Sequence, residues 1–204
     1  YDDEEGRIIV VQSPWFSVRL TEENAPWAFV KGVPARAIST LELLATTLGL
    51  VLLAPPELDA GSSAGTVAVT GLTDSQVASA VVSRGMSTSF PLCAVAMELS
   101  AQLEARGAEL FLEWVPRGYN QEADRLADGR CEGFAPGLRA HADLRKIRWL
   151  VLNELLEAGA AFYRQAQDRK RRRGQANGGG VASSRKGRGC GFGSLDELAG
   201  ALRL

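Results

Sequence analysis

Residues 71–129 decide the fold of this chain; they contain GLTDSQ (71–76), MSTSFPLCAVAMELSAQLEARG (86–107) and AELFLEWVPRGYNQEADRLADG (108–129). In the middle segment, apolar residues recur at helical spacing between Pro91 and Gly107, a proline and a glycine placed as they usually are at the start and end of a helix. The last segment opens with a β-prone run that Pro116 ends. The stretch therefore predicts a helix over 91–106, a strand over 109–115 and a short helix over 121–127.

Three further elements are predicted close to this stretch. Residues 66–73 (TVAVTGLT) predict a short strand, which a central position in a sheet would bury on both faces. Residues 75–83 predict a short helix with Asp74 as its N-cap. The Leu- and Ala-rich run 38–50 predicts a largely buried helix. Trp114, at the end of the strand 109–115, is expected in the core.

The N-terminal part predicts an antiparallel meander of short strands. Residues 7–12 (RIIVVQ) are rich in β-branched side chains, and residues 15–20 (WFSVRL) alternate in polarity as a half-buried strand does. Residues 24–31 (NAPWAFVK) predict either a third strand or a loop, because Pro26 restricts a strand here to the edge of a sheet.

Beyond the deciding stretch, residues 144–164 predict a second long amphipathic helix, and 174–193 are rich in Gly, Ser and Arg. The order of elements predicts an α/β domain with a mixed sheet over 1–130. A helical extension over 131–173 and a disordered tail over 174–204 are expected to follow.

Composition bounds the class of protein. The chain has 204 residues and a formal net charge of −1, but its charges are uneven, with acidic residues at 2–5 and basic residues crowded between 164 and 188. Cys93, Cys131 and Cys190 lack CxxC spacing, which argues against a zinc site and for reduced thiols in an intracellular compartment, cytoplasmic or nuclear. No apolar run reaches the roughly 20 residues of a membrane span, so no membrane partner is expected.

The segments L-T-D-S-Q, S-F-P-L and W-V-P-R-x-x-N-x-x-A-D-x-L, together with A-I-S-T-L-E-L-L-A upstream, resemble the ribonuclease H domain of retroelement reverse transcriptases over residues 15–129. The resemblance implies a ribonuclease H-like fold with a mixed five-stranded sheet flanked by helices. It also implies a nuclease that hydrolyses RNA in RNA–DNA hybrids with two Mg²⁺ ions, or Mn²⁺ in their place. The implied partners are the hybrid and the reverse transcriptase domain of the same polyprotein.

The resemblance places metal-binding and catalytic carboxylates at Glu42, Asp74 and Asp124. The family also carries an aspartate on its first strand; the candidates are Asp2, Asp3 or a residue upstream of this chain, and activity depends on its being supplied. Each acid also has an ordinary structural interpretation. Glu42 would be a helix-surface glutamate, Asp74 a helix N-cap, and Asp124 an acid that favours a helix N-terminus.

Basic residues give two further predictions. Arg117 either positions a phosphate near the acids or forms a structural salt bridge. The run Arg169, Lys170, Arg171, Arg172 and Arg173 either contacts phosphates or forms a solvated, unfolded tail. The alternative function is therefore a catalytically inactive ribonuclease H-like module that binds nucleic acid or serves a structural role in the polyprotein.

Overall fold

A computed structural model of the chain describes residues 13–29, 37–54, 65–176 and 197–200. The strand predicted over 7–12 and the candidate ligands Asp2 and Asp3 lie outside these ranges. The architecture is mixed α/β. Its elements, in chain order, are β1 (Phe16–Arg19), α1 (Pro26–Phe29), α2 (Ile38–Leu53), β2 (Val67–Thr73), α3 (Gln76–Arg84), α4 (Leu92–Ala105), β3 (Ala108–Trp114), α5 (Gln121–Ala127), α6 (Leu152–Ala176) and β4 (Glu197–Gly200).

A parallel pair of strands, β2 and β3, forms the centre of the described fold. Their register runs from Val67 opposite Ala108 to Thr73 opposite Trp114. Helices α3 and α4 connect the two strands and cover one face of the pair, where Val69 and Leu110 are buried. The strand over 66–73 is confirmed, but it is not buried on both faces. Among the described residues it pairs only with β3, and its second face is exposed.

The hydrophobic core lies between α2 and α4. Helix α2 is buried over most of its surface, with Leu43 and Leu48 fully inaccessible, and Val95 on α4 is equally buried. The predicted helices 38–50 and 91–106 are thus confirmed within a few residues. Burying a leucine side chain contributes roughly 1.5–3 kcal/mol, so this helix pair supplies much of the driving force for folding.

Strand β1 is confirmed, but it is buried on both faces instead of one. Ser17 is as inaccessible as its neighbours Phe16 and Val18. Its hydroxyl donates to the carbonyl of Leu126 on α5 at 3.3 Å, and the Trp15 indole donates to the carbonyl of Ala135 at 2.8 Å. Residues at the end of the deciding stretch and just after it therefore cover the face that the alternating pattern predicted to meet solvent.

Three sequence predictions are corrected by the structure. Residues 26–29 form the short helix α1 and not a strand, because Thr21 and Asn24 close a turn with reciprocal hydrogen bonds of 2.8 and 3.2 Å. Part of the tail predicted to be disordered, Glu197–Gly200, forms β4 and pairs antiparallel with β1. The last long helix begins at Leu152 and not at residue 144.

A buried carboxylate determines where α6 begins. Glu98 on α4 is fully buried and accepts hydrogen bonds from the backbone N–H groups of Leu150 (3.0 Å), Val151 (2.8 Å) and Leu152 (2.8 Å). The side-chain amide of Gln102 donates to the same carboxylate at 2.6 Å. An anion at a helix N-terminus satisfies amides that have no partner within the helix and interacts favourably with the helix dipole.

Farther along α6, Gly159 lies directly against the ring of Phe90, where an added Cβ would overlap ring atoms. Helix α6 is thereby fixed at two places, by Glu98 on α4 and by Phe90 just before α4. Among the described residues, no helix is both long and apolar enough to cross a membrane.

Candidate functional site

The carboxyl ends of β2 and β3 lie side by side, because the two strands are parallel and in register up to Thr73 and Trp114. Asp74 follows β2 directly, while the chain leaving β3 passes through a single 3-10 turn, Arg117–Tyr119, into α5. This edge of a parallel sheet is where α/β proteins commonly assemble polar sites. The resemblance assigned Asp74 and Asp124 to this region, and the structure places both there.

Asp74 accepts two hydrogen bonds but does not cap α3. Ser75 is the N-cap, since its hydroxyl oxygen accepts from the Ala78 N–H at 3.1 Å, so the prediction that Asp74 serves as N-cap was wrong. The Asn120 side-chain amide donates to Asp74 Oδ1 at 3.0 Å, and the Trp114 indole N–H donates to the Asp74 carbonyl at 3.1 Å. Asn120, just before α5, thus orients the Asp74 carboxylate, and Trp114 on β3 holds the Asp74 backbone.

Trp114 itself is 41% exposed, so its predicted place in the core was also wrong. It lies at the end of β3, where its indole N–H donates to the backbone carbonyl of Asp74. Asn120 and Ser75 had been given no role from the sequence. The available signal was their position, with Ser75 beside Asp74 and Asn120 between Arg117 and Asp124.

Glu42, on α2, belongs to the same electrostatic cluster. Burial raises the pKa of the Glu42 carboxyl above its ordinary value, and the neighbouring Asp74 carboxylate raises it further. A hydrogen bond from the Ser75 hydroxyl and the positive charge of Arg117 oppose this rise in pKa. An ordinary helix-surface glutamate meets no such surroundings, so Glu42 is a member of the site and not a solvated acid.

Arg117 lies among the acids. Its Nε donates to Asp124 Oδ2 at 2.9 Å, and its terminal nitrogen donates to Asp124 Oδ1 at 3.4 Å. The hydrogen bond and charge of Asp124 raise the pKa of Arg117, and the charges of Asp74 and Asp128 add to the effect. The salt bridge considered from the sequence is therefore present, while the guanidinium, 76% exposed, keeps an open side toward solvent.

Arg117 thus lies near Glu42, Asp74 and Asp124, which come from separate parts of the chain, and Glu42 also lies near Asp74. Asp128, one turn after Asp124, is exposed and pairs with Arg130 instead. The basic run 169–173 belongs to α6, where Arg169 and Arg172 are exposed, so this segment is helical and not an unfolded tail.

Magnesium prefers oxygen ligands, and this cluster offers carboxylates and neutral oxygens in a region of accumulated negative charge. Burial and, to a smaller extent, the neighbouring Asp74 carboxylate raise the pKa of Glu42, and a bound cation would oppose both effects. Asp124, however, gives both of its oxygens to Arg117. Within residues 13–29, 37–54 and 65–176, no group of three His, Cys, Asp or Glu side chains is arranged to hold a metal ion. Glu42 and Asp74 therefore offer the kind of ligand that a divalent cation prefers, whereas both oxygens of Asp124 are engaged by Arg117.

A groove of about 510 Å³ borders the site on the exposed side of the β2–β3 pair. Asn120, Tyr119 and Leu72 are among the residues that line it. Its volume lies in the range of ligand-binding clefts, roughly 300–1,000 Å³. Asn120 connects the groove to the acids, since its amide also holds Asp74.

No protein-family model, no curated protein and no solved structure matches the chain.

Proposed function

We propose that this chain is a ribonuclease H-type nuclease domain of a retroelement reverse transcriptase, which hydrolyses the RNA strand of an RNA–DNA hybrid. The observation that carries the proposal is the approach of Glu42, Asp74 and Asp124 from three elements toward Arg117. A ribonuclease H-like fold is part of the proposal. Strands β2 and β3, parallel and followed by Asp74 and α5, would be two of its five strands.

Two divalent cations, Mg²⁺ or Mn²⁺, would supply activation of the attacking water and stabilisation of the leaving oxygen when bound. Glu42 and Asp74 would hold them, joined by Asp124 and by a first-strand aspartate. None of the strands in the described residues carries that aspartate. The proposal therefore requires one further acid, for which Asp2, Asp3 and a residue upstream of this chain are the candidates.

The other residues of the site orient these acids. Ser75 donates a hydrogen bond that favours the ionised form of Glu42, and Asn120 fixes the direction of the Asp74 carboxylate. Arg117 remains charged at any working pH, because Asp124 raises its pKa. An arginine with an open side beside an acid cluster suits contact with a phosphate of the nucleic acid backbone.

Recognition of the hybrid would depend on backbone shape and 2′-hydroxyl groups, as is usual for RNA-containing duplexes. The domain would act beside the reverse transcriptase domain of one polyprotein, in the cytoplasm or the nucleus.

A second candidate function is binding of the hybrid without cleavage. The bidentate pairing of Arg117 with Asp124 favours it, because that pairing neutralises the Asp124 carboxylate without a metal ion. In such a module the acids would be a remnant, and Arg117 would retain only its contact with phosphate.

Cleavage of a labelled RNA–DNA hybrid in Mg²⁺ tests the proposal, with the unchanged chain compared with Asp74→Asn. Loss of one group that stabilises charge at an active site costs about 100-fold or more in rate, so the variant should lose at least that much activity and retain hybrid binding. Asp168→Asn, on the exposed surface of α6, is the matched control and should cut normally. If the unchanged chain binds the hybrid but does not cut it, the second candidate function holds. A chain that neither binds nor cuts contradicts both.

A further inference from the structure

The second face of the β2–β3 pair is apolar and acidic, and it is exposed. Side chains alternate along a strand, so Thr70 and Leu72 share this face with Glu109, Phe111 and Glu113 on the paired strand. Leu72 is 53% and Phe111 52% exposed. These five residues are called the open face below. Adjacent large apolar side chains on a sheet surface, with carboxylates beside them, are typical of a surface that meets a partner.

The C-terminal part of α6, residues 161–176, is a helix that extends away from the core. Leu152 and Leu156 are buried, and Gly159 contacts Phe90, but every described side chain from residue 161 onward is exposed. At about 1.5 Å of rise per residue, this arm is roughly 24 Å long. A helix of this length gains most of its stability from packing an amphipathic face, and the side chains described in this arm are all exposed, so the arm is marginal by itself.

The arm carries a stripe that is complementary to the open face. Phe162, Arg169 and Arg172 lie at spacings of seven and three residues, which places them on one side of the helix. Phe162 is 71% exposed. One aromatic ring followed by two guanidinium groups matches a surface with Leu72 and Phe111 beside two glutamates.

We propose that the arm of α6 docks on the open face of a second copy of this chain, in a reciprocal dimer. Phe162 would pack against Leu72 and Phe111, while Arg169 and Arg172 would pair with Glu109 and Glu113. Helix α6 packs against α4, which lies on the covered side of the β2–β3 pair. The arm therefore begins on the side away from the open face of its own chain, and the open face it meets belongs to another copy.

Charge complementarity selects a second copy as the occupant. A nucleic acid would satisfy the two arginines, but it would leave Phe162 on the arm and Phe111 and Leu72 on the open face exposed. Two-fold symmetry gives two such contacts in one dimer. This doubling helps one narrow helix contact to reach the roughly 1,000 Å² that a specific interface buries.

Sedimentation equilibrium of the full chain at micromolar concentration tests the dimer. The unchanged chain should dimerise at low salt and dissociate near about 1 M salt, where the Debye length falls to about 3 Å. Phe162→Ser should weaken association by about 10-fold or more. Met97→Ser, which alters a 53% exposed apolar residue on α4, is the matched control and should leave the dimer intact.

Charge reversal gives the sharper test. The variant Arg169→Glu/Arg172→Glu and the variant Glu109→Arg/Glu113→Arg should each be monomeric, because like charges then meet in both contacts. Mixed together, the two variants should form a heterodimer, because the reversed arm meets the reversed face in one contact and the unchanged arm meets the unchanged face in the other.

Three results would overturn the proposal. The unchanged chain could sediment as a monomer at all salt concentrations, or the mixed variants could fail to associate while circular dichroism shows both folded. The arginine variant could also lose only hybrid binding, which would assign the arm to nucleic acid. Hybrid cleavage by Phe162→Ser separates this test from the proposed nuclease function, since that variant alters none of the acids.

Discussion

Glu98 and Glu42 lie on two helices that pack against each other, α4 and α2, yet their surroundings are opposite. Glu98 is fully buried, and three backbone N–H groups and the Gln102 amide donate to its oxygens. Glu42 is only partly buried, lies near another carboxylate, and has a raised pKa. A buried acid whose oxygens are all satisfied stabilises the fold. An acid held beside a like charge lowers stability, and such strain is typical of functional sites.

The same substitution should therefore have opposite effects at the two positions. The largest effect is expected for Glu98→Gln. The amide has one accepting oxygen, and its NH₂ group would face backbone donors, so buried N–H groups would lose their partners. The free energy of unfolding should fall by about 3 kcal/mol in a denaturant titration. Glu104→Gln, on the exposed surface of the same helix, should change it by less than about 0.5 kcal/mol. If Glu98→Gln and Glu104→Gln lowered the free energy of unfolding equally, Glu98 would have no special role in stability.

Gly159→Ala tests the other contact that fixes α6. The added methyl group would overlap the Phe90 ring, so either the ring or the helix must move. Overpacking of this kind costs about 1–3 kcal/mol, and the melting temperature should fall accordingly. Glu157→Ala, on the exposed side of the same turn, controls for the change in helix composition. A melting temperature unchanged by Gly159→Ala would show that α6 is not held against Phe90.

Glu42→Gln should stabilise the chain at neutral pH, by less than about 1 kcal/mol because solvent screens this partly exposed group. The folded chain keeps a proton on Glu42 to higher pH than the unfolded chain does, so unfolding releases protons. The free energy of unfolding therefore falls as the pH rises from 4.5 through the raised pKa. The gain in free energy of unfolding from Glu42→Gln should appear above the raised pKa of Glu42 and vanish below pH 4.5. A destabilised variant at pH 7 would contradict this sign.

Arg117→Gln should have the smallest effect on stability, within about 0.5 kcal/mol, because the ion pair with Asp124 is exposed. Its effect should appear in the site instead. The positive charge of Arg117 lowers the pKa of Glu42, so the variant should raise that pKa further in an NMR titration. Hybrid binding should weaken as well, with a smaller dependence on salt. A change in stability without either of these effects would make Arg117 a structural residue.

The comparison also explains how much the sequence could predict. The candidate site at the ends of β2 and β3 follows from local features of the sequence. Asp74 lies just after a strand, and Arg117 and Asp124 lie in one short segment. Glu42 is a charged residue within an apolar helix. Each of these placements depends on neighbours close in sequence or on the pairing of two strands. For this reason the placement of these acids near Arg117 could be anticipated.

Glu98 could not be assigned in the same way. Its partners, Leu150 to Leu152, lie about 50 residues away and contribute only backbone groups, which leave no trace in a sequence pattern. The one available signal is indirect. No Ser, Thr, Asp or Asn lies just before Leu152 to cap α6, so the anion had to come from elsewhere. Pairing of β4 with β1 is hidden for a similar reason, since the partner strand lies in a Gly-rich tail.

The most direct test of the candidate site at the ends of β2 and β3 is a carbon-13 NMR titration of the Glu42 carboxyl group, with and without Mg²⁺. Without the ion, its pKa should lie above the ordinary value of 4.5. Added Mg²⁺ should lower the pKa, because a cation bound by Glu42 and Asp74 favours the ionised form. In Asp74→Asn, the pKa of Glu42 should lie closer to 4.5, and added Mg²⁺ should no longer lower it. A pKa at or below 4.5 that Mg²⁺ does not change would contradict a metal-binding role for this site.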